Sequence, residues 1–70
     1  MYNIIKIEGG FELDGRVYEF IEIDGIKYNL ISESQVHIMT DCGIILLDLN
    51  CTINGYPCED MNQFINELYG

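Results

Sequence analysis

The sequence predicts an α+β fold. We expect a strongly bent antiparallel β-meander of five or six strands, forming a small SH3-like barrel or a curved sheet, with one C-terminal α-helix packed on it. Glycine-containing turn signals separate short β-branched segments, one continuous apolar run occupies residues 44–49, and a helical apolar period begins only near residue 58. Because the chain has 70 residues, we expect a single domain over residues 1–70. Residues 1–50 form the predicted meander, 51–57 a turn and 58–69 the helix.

The first half of the meander is predicted from its turns. Residues 2–8 are rich in isoleucine, and the pair Gly9-Gly10 that follows marks either a bend, which gives five strands, or a turn, which gives six. Asp14-Gly15 is a strong signal for a two-residue hairpin turn, because both central residues of such a turn need a positive φ. This turn places Phe11 opposite Tyr18 on the neighbouring strand.

A second hairpin signal, Asp24-Gly25, follows at a similar spacing. Its predicted register places Glu22 opposite Lys27, and opposite charges at such positions support the pairing. Apolar and polar side chains alternate after the turn, which is typical of a strand with one face in water. Residues 35–40 form the next predicted strand, and Gly43 ends the turn that follows it.

The run from Ile44 to Leu49 is uncharged except for Asp48 and is too short to span a membrane. A short continuous apolar run between turn signals is typical of a strand buried on both faces. We therefore expect it at the centre of the sheet or in the wall of a barrel.

The C-terminal segment has a different pattern. Asn54-Gly55 is a third two-residue turn signal, and Pro57 cannot continue a central strand. Cys58 occupies the expected N-cap position of the helix. The residues that form one apolar stripe at helical spacing are Met61, Phe64, Ile65 and Leu68.

The charge balance restricts the classes of partner. Twelve Asp and Glu face three Lys and Arg, for a formal net charge of −9. Such a surface repels phosphate groups, so we expect neither direct nucleic-acid binding nor membrane binding. The acidic surface would then either keep the protein soluble or attract a basic protein.

The cysteines predict a reducing compartment. Their number, three, is odd, and the N-terminal residues lack the pattern of an export signal, so we expect a cytoplasmic protein with free thiols. Cys42, Cys51 and Cys58 are separated by eight and six residues, unlike the close cysteine pairs of zinc sites. No calcium-loop or phosphate-loop motif occurs either. We therefore predict no metal and no cofactor.

Catalysis is not expected from this sequence. The single histidine, His37, could face Cys42 near the end of the same hairpin, but no third orienting group has a motif-like spacing. We predict that the chain is not an enzyme.

Binding remains as the expected activity. The apolar fraction of 49% is high for a small chain, which favours a protein-binding or assembly module that associates with itself as a homo-oligomer. The alternative is an acidic inhibitor that imitates nucleic acid and binds a basic DNA- or RNA-binding protein. Small size, acidity and the missing catalytic set are typical of phage or mobile-element products. The candidate partner-binding residues are Glu8, Glu12, Asp14, Glu19, Glu22, Asp24, Tyr18 and Tyr28.

Overall fold

The computed structural model describes residues 2–70, which form eight β-strands and one C-terminal α-helix. The predicted α+β class is therefore confirmed. The elements are β1 (Tyr2–Ile7), β2 (Gly10–Leu13), β3 (Arg16–Glu19), β4 (Tyr28–Leu30), β5 (Gln35–Thr40), β6 (Gly43–Asp48), β7 (Cys51–Ile53), β8 (Tyr56–Pro57) and α1 (Met61–Tyr69).

The strands form two sheets. The five-stranded sheet has the order β3-β2-β1-β7-β8, and the three-stranded sheet has the order β4-β5-β6. All pairs are antiparallel except β1 with β7, which is parallel. Just after β3, a bridge between Phe20 and Thr40 connects the two sheets. Over residues 2–70 the sheets form no closed barrel, so the SH3-like barrel is not confirmed.

The predicted hairpin turns are present. Asp14, Asp24 and Asn54 have φ values of 52°, 55° and 53°, and each is followed by a glycine of positive φ. This left-handed geometry is favoured for Asp or Asn followed by Gly in two-residue turns. The register of β2 and β3 places Phe11 opposite Tyr18, as predicted.

The glycine pair marks a turn between β1 and β2, with Gly9 in the turn and Gly10 as the first residue of β2, which gives six strands before residue 50. Gly9 has a φ of 75°. Gly10 has a different role, since a Cβ atom there would collide with the carbonyl oxygen of Tyr18 on β3. The absence of a side chain therefore allows β2 and β3 to approach each other.

Residues 51–57, predicted as a turn, instead form a hairpin of β7 and β8 around Asn54-Gly55. β7 extends the first sheet by pairing in parallel with β1, so that Tyr2 lies beside Cys51. Pro57 is accommodated because β8 is the outermost strand, where a missing N–H group breaks no ladder.

The helix begins at Met61 rather than at residue 58, and its N-cap is Asp60 rather than Cys58. The Asp60 carboxylate accepts a 2.7 Å hydrogen bond from the backbone N–H of Gln63, and the Gln63 side chain accepts one of 2.9 Å from the backbone of Glu59. A carboxylate is a much better cap than a thiol, which explains the later start.

The main core lies between the two sheets and the helix. Met61, Phe64 and Leu68 of the predicted apolar stripe are buried, and Ile65 is half-buried against the core. The other buried members of this core are Ile4, Phe11, Val36, Ile38, Leu47, Cys51 and Ile53.

The prediction that residues 44–49 form a strand buried on both faces is wrong. β6 is the outermost strand of the three-stranded sheet. Leu47 is buried, but Ile44 and Leu46 are exposed. The central position belongs to β5, whose backbone pairs on one side with β6 and on the other with β4.

Candidate functional site

The free edge of β6 carries apolar side chains that the rest of residues 2–70 leaves uncovered. Ile44 is 58% exposed and Leu46 is 52% exposed, whereas Leu47 is 2% exposed. Successive side chains of a strand point to opposite faces of the sheet, so Ile44 and Leu46 share the outer face. An uncovered row of this kind at a sheet edge favours pairing with another chain.

The backbone of β6 also has unpaired groups at this edge. The N–H of Leu49 donates a 3.0 Å hydrogen bond to the carbonyl of Ser34. Opposed residues of an antiparallel pair alternate between those that exchange hydrogen bonds and those that do not, so this bond determines which residues of β6 are bonded to β5. In the observed register, Leu47 and Ile45 then exchange hydrogen bonds with β5. The N–H and C=O groups of Ile44 and Leu46 point away from β5.

At the C-terminal end of β6 the same edge is closed. The outward N–H of Asp48 donates to the hydroxyl of Tyr2 at 3.4 Å, and its C=O accepts from the thiol of Cys51 at 3.1 Å. Of the outward-facing positions of β6, Ile44 and Leu46 therefore retain free backbone groups within residues 2–70.

Behind this edge the outer face continues onto β5. Met39 pairs with Ile44 and is only 5% exposed, yet it lies outside the main core. Its backbone groups point away from β6, where its N–H donates to the carbonyl of Lys27 and its carbonyl accepts from the N–H of Ile21. We define the β6 surface as the free edge of β6 together with the exposed side chains of Ile44 and Leu46.

The predicted acidic residues do not gather at one point. Glu12 and Glu19 share the outer face of the five-stranded sheet, where Glu12 lies opposite Val17. Glu22 forms an exposed ion pair with Lys27 at 3.8 Å, as its predicted register requires. The remaining predicted acidic residues, which occupy turns between strands, are Glu8, Asp14 and Asp24.

The two predicted tyrosines pack at the margin of the core. The ring of Tyr18 stacks on Phe11 with centroids 5.2 Å apart, and the ring of Tyr28 lies 5.0 Å from that of Tyr69. Both tyrosines are half-buried. Their packing accounts for their place in the fold, and their role in partner binding stays a prediction.

No protein-family model, curated protein or solved structure significantly matches this chain.

The thiols differ strongly in environment. Cys51 is 1% exposed, and its burial, with smaller contributions from Cys58 and Asp48, raises its pKa to about 11. Burial and the nearby carboxylates also raise the pKa of Cys58. Both groups are held as neutral thiols near pH 7, which disfavours nucleophilic reactivity. Cys42 is exposed at the turn before β6.

An open groove of about 880 Å³ lies between the start of α1 and the β4–β5 loop, lined in part by Ile31, Glu33 and Met61. Across residues 2–70, no three His, Cys, Asp or Glu side chains are placed to hold a metal ion. No helix in this range has the length and apolarity needed to cross a bilayer.

Sequence reasoning missed the β6 surface because it assigned the apolar run to the sheet centre. The run itself was the correct signal for a strand. Its position depends on the parallel pairing of β1 with β7, which places the neighbouring strands elsewhere. No residue within Ile44–Leu47 carries a charge or a proline that would have marked an edge strand.

Proposed function

We propose that this chain is a non-enzymatic protein-binding module that assembles with copies of itself. The observation that carries the proposal is the amount of apolar surface left uncovered by the fold. The large apolar side chains within residues 2–70 that are at least 37% exposed are Ile5, Val17, Ile21, Ile23, Ile26, Leu30, Ile31, Ile44, Leu46 and Tyr56.

Small size explains why the fold leaves these side chains exposed. A chain of 70 residues has a high ratio of surface to volume, so it buries only about 60% of its unfolded surface. A second copy offers additional cover and additional stability, since anything that binds only the folded state shifts the folding equilibrium toward it. The net charge of −9 limits unspecific aggregation of the same surface.

Sedimentation equilibrium at neutral pH and about 150 mM salt tests this proposal. At that ionic strength the repulsion between acidic surfaces is screened over about 8 Å. We expect the weight-average mass to rise from that of one chain toward that of two as the concentration increases from about 1 to 500 µM, a range typical of weak interfaces. The mass of one chain at every concentration would contradict the proposal.

A second candidate is an acidic inhibitor of a basic nucleic-acid-binding protein. It is supported by Glu12 and Glu19, which lie on one solvent-facing sheet surface, and by the net charge of −9. This function requires salt-sensitive capture of a basic protein from a nuclease-treated lysate. It also requires that the triple change Glu12→Lys, Glu19→Lys and Glu22→Lys abolishes capture while the folded spectrum is retained. Unchanged capture by this variant would exclude it.

A further inference from the structure

We propose that two copies pair through the β6 surface as antiparallel strands, related by a two-fold axis that passes beside Ile45. The two three-stranded sheets then form one continuous six-stranded sheet. The inference rests on the proposed self-association and specifies the surface and the register that produce it.

The other sheet edges are each unsuited to this pairing. β3 carries Arg16 and Glu19, β8 consists of two residues that include Pro57, and β4 has three residues. Short edges, charges and proline are the features by which proteins prevent strand addition. β6 has six residues and carries neither proline nor charge before Asp48.

The free backbone groups determine which registers are allowed. The outward N–H and C=O groups belong to Ile44 and Leu46, so hydrogen-bonded pairs across the interface must join these positions. When Ile44 pairs with the partner's Leu46, the two residues exchange two hydrogen bonds. The two-fold axis generates an equivalent pair of Leu46 with the partner's Ile44, so the interface contains four interchain hydrogen bonds. Ile45 then faces the partner's Ile45 as a pair that exchanges no hydrogen bond across the interface.

This register also matches the side chains. Ile44 and Leu46, the exposed pair on the outer face, cover the partner's Leu46 and Ile44. A register shifted by two residues pairs Ile44 with itself and Leu46 with Cys42 of the partner. The opposite shift pairs Leu46 with itself and Ile44 with Asp48 of the partner. Only the register centred on Ile45 places apolar side chains opposite each other at both outward positions.

Charge favours a second copy as the occupant. The chain carries a net charge of −9, yet Gly43–Leu47 is neutral, so two copies can approach here without opposed carboxylates. The acidic side chains that flank the segment are already bound within their own chain. Asp41 accepts from the backbone N–H of Glu19 at 2.9 Å, and Asp48 accepts from that of Asn50 at 2.8 Å.

A cysteine scan tests the register. In a Cys42→Ser background, which removes the exposed native thiol, Ile44→Cys, Ile45→Cys and Leu46→Cys are introduced one at a time. Directly opposed residues that exchange no hydrogen bond have Cα atoms about 4.5 Å apart, within the range that a disulfide bridges. Under mild oxidation we expect interchain disulfide mainly at position 45. A maximum at position 44 or 46, or no difference among the three, would overturn the proposed register.

A matched pair of lysine variants tests the surface. Leu46 and Val17 are 52% and 50% exposed on strands, and changing either to lysine alters the net charge equally. We expect Leu46→Lys to raise the dissociation constant on the order of 100-fold, because the change occurs twice in a two-fold interface. We expect Val17→Lys to leave it within about threefold, as for surface changes outside an interface.

The outcomes separate the two proposals. If the unmodified chain sediments as one chain at all concentrations, the proposed function itself fails. If it dimerises but Leu46→Lys and Val17→Lys weaken the dimer equally, self-association stands and pairing through the β6 surface is wrong. Melting of each variant at a concentration where it is monomeric confirms that the fold is retained.

Discussion

Leu46 and Leu47 are neighbours of the same residue type on the same strand, and the fold treats them in opposite ways. Leu47 is 2% exposed and belongs to the main core, whereas Leu46 is 52% exposed beside an open sheet edge. The difference arises because successive side chains of a strand point to opposite faces, and along β6 the inner face is covered by the core whereas the outer face is open. One apolar run therefore serves folding through its inner face and, in our proposal, assembly through its outer face.

The largest expected effect is on the inner face. Leu47→Ala removes a buried side chain and leaves a cavity against the core, so we expect the free energy of unfolding to fall by about 2–5 kcal/mol. Urea denaturation monitored by circular dichroism, at a concentration where the protein is monomeric, measures this change. A loss of less than about 1 kcal/mol, the range of surface substitutions, would show that the inner face is not the stabilising one.

Alkaline pH provides a test of the core against which the inner face of β6 packs, because Cys51 of β7 belongs to that core. Burial raises the pKa of Cys51 from 9.0 to about 11, so the folded state holds the neutral thiol while the unfolded state loses its proton. This contribution is complete below pH 9 and is lost as the pH rises through 11, at about 1.4 kcal/mol per pH unit. We expect Cys51→Ala to flatten this decline in unfolding free energy. Cys42→Ala, a change at the exposed thiol, is the control and should leave the slope unchanged.

The helix, which contributes Met61, Phe64 and Leu68 to the same core, gives a smaller effect. Asp60→Ala removes the N-cap hydrogen bond to Gln63 and should lower the free energy of unfolding by about 1 kcal/mol. Because the proposed pairing uses the backbone and side chains of Ile44 to Leu46 and none of α1, the intrinsic association constant of the folded chains should not change. Asp60→Asn, which retains an acceptor, is the matched control. A dimer weakened by Asp60→Ala but restored by Asp60→Asn would show that the helix belongs to the interface.

The smallest effect on folding is expected at the outer face. Leu46→Ala should change the free energy of unfolding of the monomer by less than about 0.5 kcal/mol, as for surface substitutions. Its effect on association should be larger, a roughly tenfold rise in the dissociation constant, because apolar contacts are lost in both copies. Denaturation at low concentration and sedimentation equilibrium measure the two quantities separately. A large loss of monomer stability would remove the contrast with Leu47.

Local chemistry made much of the fold predictable. The turns at Asp14-Gly15 and Asp24-Gly25 follow from the need for positive φ, and the helical stripe follows from a spacing that only a helix brings to one face. The parallel pairing of β1 with β7 joins residues about fifty positions apart and has no local signal. That pairing, rather than the composition of the run, places β6 at an edge.

The candidate site was less predictable for the same reason. The apolar excess in so short a chain correctly indicated that some apolar side chains stay uncovered. The composition could not indicate which apolar side chains these are, because the segment from Ile44 to Leu47 is equally compatible with a strand in the centre of a sheet. The acidic residues were visible as a charge pattern, but their distribution over one sheet face and several turns depends on the strand registers.

Amide hydrogen exchange of β6, measured by NMR at about 10 µM and at several hundred micromolar, tests the central claim most directly, since it reads the backbone groups that pairing would use. We expect the amides of Ile44 and Leu46 to exchange rapidly in the dilute sample and slowly in the concentrated one. The amides of Ile45 and Leu47, bonded to β5 within one chain, should be protected at both concentrations. If Ile44 and Leu46 exchange rapidly even where sedimentation shows a dimer, the copies associate through another surface and the β6 pairing is wrong.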